Sequence, residues 1–184
     1  SEQRQYAIGD DIVLENGEKP FNVGCVWAPE SIWDEDRSQY MVFWASMVCP
    51  EKPEGYDSMT EAEQKKALED NSKQRIYRSF TSDFRTFSTP ELYIERDNHV
   101  IDTTILEQDG IYYRYSKNES TKRVGCEYAA SLEGPWYATN MGIGNCEGPT
   151  AFKFNHENRW GVFVDSLGGG WEGYGLFAAD NLYS

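Results

Sequence analysis

The stretch VIDTTILEQDGIYYRYS, residues 100–116, contains a complete β-hairpin signature. Two segments rich in β-branched and aromatic residues, which favour strands, flank the dipeptide Asp109-Gly110. Asp-Gly is a preferred sequence for two-residue hairpin turns because both residues tolerate positive φ. The stretch therefore predicts two antiparallel strands, with the carboxylate of Asp102 near the start of the first one.

Two other stretches repeat this arrangement. The acid of Trp-Ala-Pro-Glu (27–30) precedes an aromatic strand at 40–44, and the acid of Cys-Glu-Gly-Pro (146–149) precedes one at 160–164. The acid leads its strand by 10 residues for Glu30 and Asp102 and by 13 for Glu147. If these are structural repeats around one axis, we expect the three carboxylates to occupy equivalent places and to converge on one site.

A second landmark supports the repeat. Small residues after a later strand, at positions 82, 131 and 179, are spaced by 49 and 48 residues. The first two acids are 72 residues apart, because the first repeat carries an extra stretch at 50–73. In that stretch Ser58-Met59-Thr60-Glu61 resembles a capping box and is followed by helix formers at 61–69, which predicts one short inserted helix.

A period of this size, with several strands per unit, is typical of a β-propeller blade. We predict an all-β fold: one partial propeller segment over 1–184, with about three blades at 25–99, 100–145 and 146–184. Residues 1–24 are predicted to be the remnant of a preceding blade. A β-sandwich with coincidental spacing is the alternative. Because closed propellers need about four to eight blades, we expect missing blades to come from the same or another chain.

The composition favours a neutral, ring-stacking partner. The net charge of -14 argues against nucleic acid, because phosphate binding draws on clusters of Lys and Arg. Six Trp and 12 Tyr suit carbohydrates, whose C–H faces stack on aromatic rings. Trp27, Trp44 and Trp171 are candidate sugar platforms, although the apolar neighbours of Trp44 favour core packing for that ring. Trp171 lies in a glycine-rich loop at 168–173.

Other partner classes have little support in the sequence. No apolar run approaches the roughly 20 residues needed to cross a bilayer, so we predict no membrane partner. The four cysteines lack metal-type spacing and are interpreted as buried free thiols. His99 and His156 stand far apart without companion ligands. We therefore predict no metal and no cofactor.

The three acidic segments, Trp27–Glu30, Ile101–Gly110 and Glu147–Lys153, follow one another as in glycoside hydrolase family 43, which this chain resembles over nearly its whole length. The resemblance implies a five-bladed propeller, apparently without its first and C-terminal blades. It also implies an enzyme that removes arabinofuranose or xylose from plant polysaccharides. We expect an extracellular or periplasmic location.

The resemblance implies an inverting mechanism in which Glu147 is the general acid and Asp102 is the third carboxylate, which orients that acid. The base of the family, an aspartate in a His-Asp-Pro or similar segment of the first blade, has no counterpart here, so we expect the base outside this chain. Another departure is Thr103, where the family has Pro. Trp27, Glu30 and Trp171 are assigned to substrate binding, while a structural hydrogen bond or the role of base stays open for Glu30.

Two other functions compete with hydrolysis. The chain could be a non-catalytic carbohydrate-binding propeller or inactive remnant, in which the pocket survives without a base. It could also be a structural segment whose open blade edges pair with another chain. We expect the segment of 184 residues alone to have little activity.

Overall fold

The computed structural model describes residues 7–168 and 170–183. Residues 1–6, part of the predicted blade remnant, lie outside the described residues, as do Gly169 of the glycine-rich loop and Ser184. Within the described part, twelve strands accompany one α-helix and two short 3-10 helices. The prediction of an all-β fold with one inserted helix is confirmed.

The first group of elements comprises β1 (Asn22–Val23), β2 (Trp27–Asp34), β3 (Gln39–Cys49), α1 (Glu61–Asp70), β4 (Lys73–Thr81) and β5 (Glu91–Ile94). The second comprises β6 (Val100–Gln108), β7 (Ile111–Asn118), β8 (Arg123–Ala129) and β9 (Tyr137–Gly144). The third comprises β10 (Cys146–Lys153), β11 (Trp160–Ser166) and β12 (Tyr174–Ala179). The 3-10 helices span Ile8–Asp11 and Tyr56–Ser58.

Each group forms one antiparallel sheet whose strands pair in chain order. The first sheet runs β2-β3-β4-β5, with β1 beside β2 on the same edge of β3. The second runs β6-β7-β8-β9 and the third β10-β11-β12. Because each chain segment completes its sheet before the next begins, the sheets are three successive blades of the predicted kind.

The sheets pack face to face in chain order. One core lies between the first and second sheets and contains Phe43, Ile76, Ile101 and Leu132. A second core lies between the second and third sheets, around Tyr115 and Trp160 among others. A third core covers the opposite face of the first sheet, where Ile12 of the N-terminal segment packs near Trp44, Val48 and Tyr77. Burial on both faces explains the apolar and aromatic character of β3 and β7.

The first strand of every sheet carries a β-bulge at the same register position. Two residues of that strand oppose one residue of its neighbour at 28–29, 102–103 and 148–149. The first bulge residue is left-handed each time, with φ of 46° at Ala28, 48° at Asp102 and 56° at Gly148. A bulge leaves one residue outside the ladder, so the second position accepts Pro29 and Pro149 without losing a ladder hydrogen bond. Thr103 takes this place in the second sheet, and its hydroxyl lies 2.8 Å from that of Ser116.

The bulges correct the alignment of the three acids. Relative to the left-handed residue, Glu147 lies one position before it, Asp102 occupies it, and Glu30 lies two positions after it. The expectation that the carboxylates occupy equivalent places is therefore wrong. In the first sheet the position equivalent to Glu147 belongs to Trp27, and the one equivalent to Asp102 belongs to Ala28. Asp102 and Glu147 meet because the bulges of β6 and β10 are neighbours.

Three local predictions also change. The apolar run Ile12-Val13-Leu14 predicts a short strand from Asp10 to Leu14, but the structure has a 3-10 helix that ends at Asp11, after which Ile12 enters the core. The capping box lies two residues later than predicted, because Ser58 ends a 3-10 turn. The N-cap is Thr60, whose backbone N–H donates to Glu63 Oε2 at 2.8 Å. Because proline cannot donate to a ladder, the sequence predicts that the first strand of the third sheet starts at Thr150, but β10 begins at Cys146, since the bulge accommodates Pro149.

The left-handed bulge positions make a test of backbone strain. Replacing Gly148 with Ala is expected to lower the free energy of unfolding by about 1 kcal/mol, because φ is positive there. The loss has no steric part, since an added Cβ would meet no heavy atom within 4 Å. Urea unfolding measures it. Ala28→Gly, the matched change at an equivalent bulge, is expected to be neutral or stabilising, and equal losses from both variants would contradict this account.

Candidate active site

The bulges of β6 and β10 bring Asp102 and Glu147 together. The backbone N–H of Gly148 donates to Asp102 Oδ2 at 3.0 Å, so the Asp102 carboxylate lies against the residue that follows Glu147. Both acids are half-buried. The structure thus joins two predicted catalytic residues that are 45 positions apart in the sequence.

A buried lysine pairs with Glu147 and with a third acid, Glu119. Lys117 of β7 is the register partner of Ile101, next to Asp102, and its side chain is only 2% exposed. Its ammonium group donates to Glu147 Oε2 and lies 2.5 Å from Glu119 Oε2. Glu119 is paired in addition with Lys122. We call Asp102, Lys117, Glu119 and Glu147 the acid–lysine cluster.

Ionisation in this cluster is shifted by burial and by neighbouring charges. Burial raises the pKa of the Asp102 carboxyl, and the negative charge of Glu147 raises it further against the hydrogen bond from Gly148. Burial lowers the pKa of the Lys117 ammonium group. The attraction of Glu119 and Glu147 outweighs burial, so the pKa of Lys117 lies above its usual value. The cluster therefore holds a persistent cation beside a carboxyl group that is easily protonated.

The raised pKa of Asp102 predicts a pH-dependent stability difference. A carboxyl group whose pKa is higher in the folded state stabilises that state below its ordinary pKa of 3.8 and loses this contribution as the pH rises through the folded value. Asp102→Asn removes the charge and tolerates positive φ equally well. The variant is expected to match the wild type near pH 3 and to be more stable at pH 7. Thermal unfolding from pH 3 to 7 measures this, and a constant difference would contradict it.

Glu30 joins the first blade to the second. Its half-buried carboxyl accepts a hydrogen bond from Thr104 of β6, and burial raises its pKa against that hydrogen bond. The Thr104 hydroxyl in turn accepts from the backbone N–H of Ala151 in β10 at 3.5 Å. A line of hydrogen bonds thus crosses all three inner strands, which is the inter-blade contact considered for Glu30.

The three candidate tryptophans have different surroundings. Trp27 is 51% exposed and lies at the bulge of β2. Trp44 is 1% exposed and packs in the core, as the sequence favoured. Trp171 is partly buried against the core between the second and third sheets, and its carbonyl accepts from Ser166 at the end of β11 that is nearest Glu147. Trp27 is therefore the most open of these rings.

Sequence reasoning missed Lys117, Glu119 and Asp165, which is the cross-strand partner of Glu147. Asp165 and Lys117 occupy equivalent register positions on the second strands of their sheets. A charged residue within an otherwise apolar strand is the signal that could have identified both.

No group of three or more metal-ligating side chains occurs at 7–168 or 170–183. In the same residues, no helix is long and apolar enough to span a membrane. Of the four cysteines, which are all free, Cys49, Cys126 and Cys146 are buried as predicted, while Cys25 is half-buried.

The fold is that of β-propeller glycoside hydrolases. A family 117 glycoside hydrolase from Zobellia galactanivorans superposes with a TM-score of 0.63 at 18% identity, over 98% of this chain and 56% of that one. The catalytic domain of a family 62 α-L-arabinofuranosidase from Coprinopsis cinerea gives 0.55 at 10% identity, over 90% of this chain and 50% of that one.

The family is shown by sequence. The model of a family related to glycoside hydrolase family 43, described as "Probable glycosyl hydrolase domain", matches residues 12–184, and the chain belongs to this family. An α-L-arabinofuranosidase from Bifidobacterium longum subsp. longum is 31% identical over 104 residues, which is 56% of this chain and 9% of that protein. The chain thus spans a small part of that relative and about half of the solved structures.

Proposed function

We propose that this chain supplies the general acid and its orienting carboxylate to a glycoside hydrolase that acts on arabinose- or xylose-containing glycans. The observation that carries the proposal is the contact of Asp102 with the backbone N–H of Gly148, which holds a second carboxyl group beside Glu147. Membership of the family and the arabinofuranosidase relative support the reaction and the substrate class.

The proposed reaction is hydrolysis with inversion. Glu147 gives its proton to the leaving glycosidic oxygen as the bond from that oxygen to the anomeric carbon breaks. A base outside the acid–lysine cluster takes a proton from water, whose oxygen forms the new bond to the opposite face of that carbon. Asp102, held by Gly148, keeps a carboxyl group next to Glu147 and orients that acid.

The substrate would meet the cluster beside the first blade. Trp27 is exposed at the bulge position equivalent to that of Glu147, where a sugar ring can stack on it. We propose that Glu30 mainly stabilises the contact between the first and second blades through its hydrogen bond with Thr104. Because its side chain is only half-buried, it can also contact a bound sugar. Polymeric glycans do not cross membranes, so an extracellular or periplasmic location belongs to this proposal.

Hydrolysis by the natural full-length protein tests the proposal. We expect release of p-nitrophenol from the α-L-arabinofuranoside or the β-D-xyloside, and proton NMR should show the inverted anomer as the first product. The same glycosides of glucose and galactose are the matched controls. Appearance of the retained anomer would overturn the inverting mechanism, and absence of turnover on both pentosides would overturn the reaction.

One observation favours a second candidate, a non-catalytic carbohydrate-binding propeller. The ion pair of Glu147 with Lys117 places a cation on the group that the first candidate uses as its acid. Calorimetric binding of arabino- or xylo-oligosaccharides without turnover, unchanged by Glu147→Gln, would select this candidate.

A further inference from the structure

Lys117 occupies an unusual place for a lysine. Its side chain is 2% exposed, although lysine is almost never fully buried unless it is paired. Its two partners, Glu147 and Glu119, come from different parts of the fold, one from the bulge of β10 and one from the turn after β7. A single ammonium group thus stands between two carboxylates.

The two contacts of Lys117 differ in kind. The ammonium group makes an aligned hydrogen bond to Glu147 Oε2. Its contact with Glu119 Oε2, at 2.5 Å, is a close ion pair in which the oxygen has no aligned hydrogen bond among the described residues. Glu119 is therefore a second anionic partner that lies against the same ammonium group as Glu147 does.

Glu119 contacts two cations. Its other oxygen is paired with Lys122, so its charge is balanced by Lys122 as well as by Lys117. Burial raises the pKa of Glu119, but the attraction of Lys117 and Lys122 outweighs burial and lowers it below the usual value. Glu119 consequently stays ionised and does not compete with Glu147 for a proton.

We propose that Lys117 is a positioning residue that controls the charge of Glu147 by sharing its ammonium group between Glu147 and Glu119. The catalytic meaning of this inference rests on the proposed function. While Glu147 carries its proton for the leaving oxygen, Glu119 balances the charge of Lys117. Once Glu147 has lost the proton, the same ammonium group stabilises the Glu147 carboxylate.

Other charges act on the same carboxyl group. The charged and titratable groups around Glu147 are Asp102 on β6, Lys117 on β7, Glu119 and Lys122 of the following turn, Asp165 on β11, and the buried thiol of Cys146 next to it in β10. Two other cations lie further off: Lys122 is paired with Glu119, and Arg123 of β8 acts on Cys146. The groups that the structure places beside Glu147 apart from Lys117, namely Asp102 across the blade contact and Asp165 across the strand pair, are acidic. Removing the charge of Lys117 is therefore expected to move the alkaline limb of the pH profile in one direction, upward.

The experiment compares two variants with opposite expected effects in the natural full-length protein. Lys117→Met removes the cation, and the alkaline limb of the pH profile of kcat/KM is expected to move up by about 1–3 pH units, since an opposite charge at this range shifts ionisation by that much. Glu119→Gln leaves Lys117 with Glu147 alone, and the limb is expected to move down. Lys117→Arg keeps the charge and should leave the limb near its wild-type position.

The control is Lys65→Met on helix α1, where the side chain is 81% exposed and no shift is expected. If the alkaline limb of the kcat/KM profile stays in place in both Lys117→Met and Glu119→Gln, the inference is overturned, even if kcat falls. A lysine with a merely structural role would lower activity without moving this limb. The side-chain carboxyl carbon of Glu147, titrated by ¹³C NMR in the same variants, gives a readout independent of turnover. Opposite NMR shifts in a protein without hydrolysis would support the inference and overturn the proposed function alone.

Discussion

Glu147→Gln is expected to lower kcat/KM on p-nitrophenyl α-L-arabinofuranoside by about 10²–10⁴-fold, the usual contribution of a general acid. Glutamine has nearly the same shape but cannot give a proton to the leaving oxygen. It also accepts a hydrogen bond from Lys117 through its amide oxygen, so the local contacts survive. Steady-state kinetics at the pH optimum of the wild type measure the loss.

The leaving group separates proton donation from other roles of Glu147. A 2,4-dinitrophenolate leaves readily without protonation, so the same variant is expected to lose much less activity on the dinitrophenyl glycoside. Equal losses on both substrates would show that Glu147 holds the substrate or the fold rather than donating a proton. Glu54→Gln, the same change at an exposed position in a loop of the first blade, is the control and should leave both rates unchanged.

Trp44→Ala is expected to lower the free energy of unfolding by about 3–5 kcal/mol, as for other large buried aromatic residues. Trp44 is 1% exposed and lies opposite the bulge of β2. Its indole N–H donates to Ser46 Oγ at 3.0 Å, and that hydroxyl donates to the carbonyl of Cys25 at 2.8 Å. The change thus opens a cavity and removes a buried hydrogen bond. Chemical denaturation measures the loss.

Trp27→Ala is the matched control on the same pair of strands. Because Trp27 is 51% exposed, its removal is expected to change stability by no more than about 0.5 kcal/mol. If Trp27 is a sugar platform, the same variant should raise KM with little change in kcat. A large stability loss in Trp27→Ala, or none in Trp44→Ala, would contradict these assignments. Trp44→Phe keeps most of the ring volume and provides a measurable intermediate if the alanine variant does not fold.

Much of the architecture could be predicted because its signals are local or periodic. The turn at Asp109-Gly110 joins β6 to β7 as predicted, since two-residue turns depend on the residues that form them. The helix at 61–70 follows from a run of helix formers behind a capping box, although two overlapping boxes at Ser58 and Thr60 compete and the structure uses the second. The spacing of 48–49 residues located the third strand of each blade.

The candidate site was predicted only in part. Asp102 and Glu147 stand out because each is an acid beside turn-forming residues in a recurring segment. Lys117 and Glu119 do not belong to a recurring segment, and a lysine near a strand end is usually exposed to solvent. The sequence therefore offered no reason to select them. Their role emerges only where Lys117 meets a carboxylate 30 positions away in the sequence.

The sequence by itself determined the three antiparallel blades, the inserted helix and the two candidate carboxyl groups of Asp102 and Glu147. Strand patterns, turn residues and the repeat spacing can all be recognised along the chain without knowledge of its tertiary contacts. Only the tertiary structure decided that the acids occupy three different positions relative to the bulges and that a buried lysine pairs with Glu147. The physical reason is that bulge register and ion pairing depend on atoms from separate sheets. The contact of Asp102 with Gly148 spans 46 residues, and blade packing alone brings those groups together.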